Sequence, residues 1–137
     1  MDKIEQIYLD LILEAQYNNY KWQRYGKYQG FEIYYNIKHV KDRINERYDV
    51  SFGTFRNIVN NFIKTILKEK TLEIRKINEL SFTVHAIKTN VWFSGRFKRN
   101  NNEWRVYIST LLPNKDKEGN NITPTYSPND YRKDIDA

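Results

Sequence analysis

The 137-residue chain carries 23 Lys/Arg against 17 Asp/Glu, a net charge of +6, and no cysteine. That length suits one domain with one modest core, and the missing thiols exclude disulfides and thiolate metal sites. No apolar run approaches the ~18 residues of a membrane span, and the start MDKIEQIYLDLILEAQ lacks the basic head and unbroken apolar run of a secretory signal, so the expectation is a cytoplasmic protein with no membrane association.

Ile4, Ile7, Tyr8, Leu11, Ile12 and Ala15 recur at helical spacing and predict an amphipathic helix from about Asp2 to Gln16. The tyrosine-rich stretch YNNYKWQRYGKYQGFEIYYNI follows. Gly26 and Gly30 break any helix there, and Phe31–Ile37 reads as a short strand. A second helix is expected over Lys38–Tyr48, with Val40, Ile44 and Tyr48 as its buried stripe. Ser51 can cap the next one. Phe52, Phe55, Ile58, Val59, Phe62, Ile63, Ile66 and Leu67 then keep the helical period to Glu69, which marks the central core helix.

After Lys70 the pattern turns to period two. Thr71–Ile77, Leu80–Lys88, Val91–Lys98 and Glu103–Leu111 read as strands joined by short turns. The predicted class is α+β, with N-terminal helices packed on a mainly antiparallel meander sheet of four to five strands. Residues 1–112 form the single domain in this reading. Residues 113–137, with KDKEGNN and PTYSPND, read as a polar, flexible C-terminal tail able to meet a protein partner or a second copy of the chain.

Charge is unevenly spread. Residues 1–16 hold one Lys and four acids, and residues 113–137 hold four Lys/Arg and five acids, which leaves +10 on the segment between. A basic middle rich in tyrosine points to an anionic partner: nucleic acid, with RNA favoured, or an anionic nucleotide.

The stretch VWFSGRFKRNNNEWRVYIST predicts a hairpin. A two-residue turn at Asn100–Asn101 pairs Phe97 with Trp104, Gly95 with Val106 and Phe93 with Ile108, giving one apolar face. The other face then carries Trp92, Arg96, Lys98, Arg105 and Tyr107, with Arg96 directly opposite Arg105. Two facing guanidinium groups repel mildly and would hold a phosphate well; a nearby acid would neutralise them equally well. Trp92 and Tyr107 are candidate stacking platforms for nucleobases, or core aromatics.

The chain has two histidines. His39, Arg43 and Arg47 share a helix face at i, i+4, i+8 spacing, and neighbouring positive charge should lower the His39 pKa; that suits a general base, and equally a surface histidine on a basic helix. His85 lies on a strand, as a hydrogen-bonded core histidine or a second proton-transfer group. No HExxH, no acid cluster at metal spacing and no phosphate-binding glycine loop is present, so no metal or cofactor is expected.

The segment IKHVKDRINERYDVSFGTFRNIV, followed by strands ending in VYISTLLP, resembles the barnase–EndoU–colicin–RelE superfamily of small ribonucleases, in its phage and toxin branches. The resemblance spans roughly Phe31 to Pro113. It implies metal-independent RNA cleavage by attack of the 2′-hydroxyl on the adjacent phosphate. In that reading His39 is the base, His85 the acid, Arg96 and Arg105 stabilise the developing charge, and Ser109 or Thr110 positions the phosphate. The competing readings are a non-catalytic binder of nucleic acid or an anionic nucleotide, serving a phage or mobile element, and an inhibitor that meets an acidic protein surface.

Overall fold

The computed structural model describes residues 3–5, 22–75 and 77–137. It is an α+β protein built on one six-stranded mixed sheet. β1 (Trp22–Tyr28) and β2 (Phe31–Asn36) form a hairpin, followed by α1 (Ile37–Arg47), α2 (Phe52–Glu69) and the short α3 (Thr71–Arg75). The chain continues through β3 (Glu79–Ala86), β4 (Val91–Asn100), β5 (Glu103–Leu112) and β6 (Tyr131–Ile135). The strand order is β1-β2-β5-β4-β3-β6. β2 runs parallel to β5 and β6 parallel to β3, while the other pairs are antiparallel.

The expected meander β3-β4-β5 forms the middle of this sheet. Both flanks differ from expectation. The tyrosine-rich stretch supplies β1, and the two-strand unit adds parallel to β5. The C-terminal segment, expected as a tail outside the domain, supplies β6 and sends Ile135 into the core at 5% exposure. Thr71–Ile77, expected as a strand, begins with a helical turn instead. Neighbours Thr71 and Leu72 are both buried, whereas a strand sends adjacent side chains to opposite faces. Of the predicted N-terminal helix, Lys3–Glu5 are helical and Ile4 is 80% exposed; the rest lies outside the described residues.

α2 forms the second layer. Ser51 accepts from the Thr54 amide at 3.0 Å and fixes its start, as its sequence position predicts. Phe55, Ile58, Val59, Phe62, Ile63 and Ile66 are buried along one stripe. Phe62 packs on Phe82, Phe93 and Phe97, whose ring centroids lie 4.8–5.8 Å away. Burying one such side chain is worth ~1.5–3 kcal/mol, so this stripe is the main contact between helix layer and sheet.

The β4–β5 turn is a two-residue turn, but it sits one residue later than expected. Asn101 and Asn102 carry the positive φ angles, 51° and 67°. Moving the turn by one shifts the pairings by two as far as Gly95, and a bulge beyond it adds one more, so that Phe93 faces Leu111. Phe97 faces Val106, Gly95 faces Ile108, Arg99 faces Trp104 and Lys98 faces Arg105. A shift of two keeps each side chain from the turn to Gly95 and Ile108 on its predicted face but changes its partner; past the bulge Thr110 takes the open face and Leu111 the core.

Candidate functional site

The helix-side face of the sheet is the core. On the other face Glu79, Ser81, Arg96 and Lys98 are exposed, and the strand registers arrange its side chains in rows across the sheet. One row runs Glu79, Lys98, Arg105, Glu32, Lys27 from β3 to β1. The next runs Ser81, Arg96, Tyr107, Tyr34, Arg24. Strands stand ~4.8 Å apart, so Arg96 to Arg24 spans about 14 Å.

The centre of that second row is aromatic. Tyr34 and Tyr107 stack at 5.1 Å and 22°, and Trp22 meets Tyr107 edge-on at 5.2 Å. The Arg105 guanidinium lies 5.5 Å from the Tyr34 ring centroid. Both tyrosines are half-buried and both flanking arginines are exposed.

Arg96 and Arg105 do not face each other, contrary to expectation. Arg96 is paired across β4–β5 with Tyr107 and bonds Glu79 Oε1 at 2.7 Å. Arg105 Nε is 3.3 Å from Glu32 Oε2. Each cation therefore has its own carboxylate, and the twin-arginine phosphate clamp is not formed. Glu79, from the neighbouring strand β3, and Glu32, from β2, supply the neutralisation; only Glu32 arrives from a strand distant in the chain.

Trp92 is also placed differently from a free platform. It is 3% exposed. His85 stacks on it at 4.1 Å and 12°, and the Arg132 guanidinium sits 4.5 Å from its ring centroid. Tyr126 lies 6.4 Å away. His85 Nε2 is held by Asn90 Oδ1 at 2.8 Å, and its Nδ1 lies 3.9 Å from Asp134. Arg132, Asp134 and Tyr126 all come from the C-terminal segment, so this segment covers the Trp92 end of the face.

His39 occupies a third position. β2 pairs with β5 only as far as Tyr35–Ile108. Beyond that point α1 takes the place of a strand along β5. Arg47 Nη1 donates to the Leu111 carbonyl at 2.7 Å, and the Tyr48 hydroxyl donates to the Leu112 carbonyl. His39 Nε2 meets Thr110 Oγ1 at 2.9 Å. Burial first, and then the charges of Arg43 and Arg47, hold the His39 pKa below its ordinary 6.5. Arg43 itself bonds Glu46 at 2.7 Å.

Thr110 faces Ser94, and Ser109 falls at the bulge where the β4–β5 register shifts. The threonine, not Ser109, is the hydroxyl that meets His39. His85 stands on β3, two strands from Thr110, roughly 10 Å across the sheet. Trp92 fills the position beside it, so the structure does not bring His39 and His85 together.

Among the described residues no three His, Asp or Glu side chains gather as a metal centre needs. No described helix is long and apolar enough to cross a membrane. In comparisons with known proteins, no family model, no curated protein and no solved structure matches the chain.

Proposed function

We propose that the protein binds single-stranded nucleic acid, RNA first, on the open face of its sheet. The row Arg24–Tyr34–Tyr107–Arg96 carries this reading. An aromatic centre between two exposed cations is what a strand needs: aromatic surface for bases, and guanidinium groups, held in the free protein by Glu32 and Glu79, that can turn to the phosphates on either side. Lys98 and Lys27 add positive charge in the neighbouring row, where Glu79 and Glu32 partly offset it. The expected net charge on the middle of the chain supports the same partner.

Polarisation of a labelled single-stranded RNA, titrated at several salt concentrations, tests this. Arg96→Ala should weaken binding and lower the salt slope by about 0.7, the loss of one phosphate contact on a single strand. Tyr107→Leu should weaken binding with the slope unchanged. If both variants bind RNA as the parent does, the open face is not the site. A matched DNA oligomer shows whether the 2′-hydroxyl is read.

A second reading, metal-independent RNA cleavage, is favoured by one observation: a histidine of lowered pKa in contact with a hydroxyl, His39 on Thr110. Arg43 and Arg47 on the same helix would supply charge near the phosphate. The wide separation of His39 and His85 counts against the two-histidine mechanism, since acid and base must both reach the reacting atoms. RNA incubated with the protein in excess chelator decides the matter. Cleavage abolished in His39→Ala supports it; intact RNA leaves binding as the activity.

A further inference from the structure

At the opposite end of the domain from His39, three turns converge on a cavity. The β1–β2 turn, the end of α2 and the tip of the β4–β5 hairpin enclose about 220 Å3. Trp104, stacked on Phe31 at 6.5 Å, forms its aromatic wall, and Leu67 and Leu72 line it opposite. A second hollow of about 360 Å3 shares Leu72, Glu73 and Trp104 and adds Arg99. The first volume is below the ~300 Å3 at which drug-sized sites begin and suits one flat ring system.

The polar rim has a definite composition. Gln29 and Asn102 offer amide donors and acceptors. Lys70 stands in the first hollow and Arg99 in the second, linked to the first by its 2.9 Å bond to Asn102. Among the described residues no carboxylate lies within ion-pair distance of either cation. Glu73 is common to both hollows.

Backbone conformation gives an independent sign. Lys70 closes α2 in the left-handed region, φ 53° and ψ 34°, and Gln29 holds φ 51° in the hairpin turn. Glycine is the low-energy residue at a left-handed helix C-cap, and Asn or Gly at such a turn. The chain instead places a long polar side chain at each, and both line the cavity. Strain of this kind gathers where a side chain is needed.

We propose that this cavity binds a nucleotide: a nucleobase against Trp104, its edge read by Gln29 and Asn102, its phosphate held between Lys70 and Arg99, and a ribose hydroxyl donating to Glu73. The base and phosphate can belong to a free mononucleotide or to the phosphorylated end of a strand, and the chemistry at the pocket is the same. This site is separate from the open face and stands without it.

The chain has three tryptophans, so three indole N–H signals can be followed by NMR as UMP, CMP, AMP and GMP are titrated to about 1 mM, the concentration matching the weakest affinity of interest. The Trp104 signal, assigned with Trp104→Phe, is expected to move, and inorganic phosphate or the bare nucleosides should move it far less. A tighter response to a 5′-phosphorylated tetranucleotide than to UMP identifies a strand end; a stronger response to UMP identifies a free nucleotide. Lys70→Gly relieves the left-handed strain, so its Tm should rise by about 2–4 °C while nucleotide affinity falls about tenfold. No movement of the Trp104 signal with any of the nucleotides, or unchanged affinity in a folded Lys70→Gly protein, overturns the proposal. Neither result touches the open-face reading, which is measured through Arg96 and Tyr107.

Discussion

His39 and Thr110 meet across the seam between α1 and β5, Nε2 to Oγ1 at 2.9 Å. The imidazole is partly buried beside Arg43 and Arg47, and its pKa is depressed. The unfolded chain therefore takes up a proton near pH 6.5 while the folded protein does not. Stability is fully present above that pH and is lost as pH falls below it, until the folded protein is protonated too. His39→Gln has no such proton to gain. Its Tm should fall less than that of the parent between pH 7.5 and 5.5. Equal falls in the two proteins would show that His39 does not contribute to acid sensitivity.

Glu79 restrains Arg96. The pair is half-exposed on both sides, with a 2.7 Å contact, and such pairs contribute at most ~1 kcal/mol to stability. Glu79→Gln should leave Tm nearly unchanged. It should also raise RNA affinity several-fold, because Arg96 no longer divides its charge between carboxylate and phosphate. Glu32→Gln should behave differently. Glu32 is half-buried and holds Arg105, Arg24 and the Tyr34 hydroxyl, so its loss disorders the row it supports. Thermal melts and RNA titrations on the two variants separate these outcomes.

Gly95 is constrained by two neighbours. A Cβ there would overlap the Tyr107 carbonyl oxygen and come within 2.8 Å of Phe82 Cζ. Backbone cannot yield as a side-chain tip can, and Phe82 is itself fully buried against Phe62. Gly95→Ala should cost roughly 3 kcal/mol or more, at the upper end of overpacking effects. Chemical denaturation measures this directly. A Gly95→Ala protein as stable as the parent would mean that β4 and β5 can move apart at the bulge.

Local pattern carried much of this fold. Eight apolar positions from Phe52 to Leu67 and a serine cap define α2 without reference to the rest of the chain. The faces of β4, and of β5 as far as Ile108, were legible because alternation survives a register shift of two; the bulge at Ser109 was not. The cross-strand partners were not either, since Asn100, Asn101 and Asn102 all tolerate a turn and only the completed sheet selects among them. β1 and β6 were hidden for another reason. TrpGlnArgTyrGlyLysTyr has a glycine at φ 97° inside a bulged strand, and β6 is a short strand with a single core residue, Ile135. Parallel pairing of β2 with β5 joins segments about 70 residues apart, and no local signal encodes it. The same distance hid Glu32 from Arg105 and Tyr34 from Tyr107. The aromatic centre of the candidate site was thus half visible: Tyr107 was legible on its strand, and its stacking partner was not.

Tyr48 fastens the end of α1 to the sheet. Its hydroxyl donates to the Leu112 carbonyl and accepts from the Trp92 amide at 3.2 Å, joining two strands where β2 no longer reaches. Burial pushes its pKa up to about 12 from 10.0. The folded protein keeps the phenol proton where the unfolded chain releases it. The contribution is therefore intact below pH 10 and is lost as pH rises from 10 towards 12. Tyr48→Phe removes the hydroxyl and leaves a buried carbonyl and an amide without that partner, at a cost of about 1–3 kcal/mol. Denaturation at pH 7 should show that loss, and the difference between parent and variant should shrink above pH 10. A difference constant up to pH 12 would mean that the hydroxyl is exposed to solvent and that α1 is held to β5 by Arg47 and His39 alone.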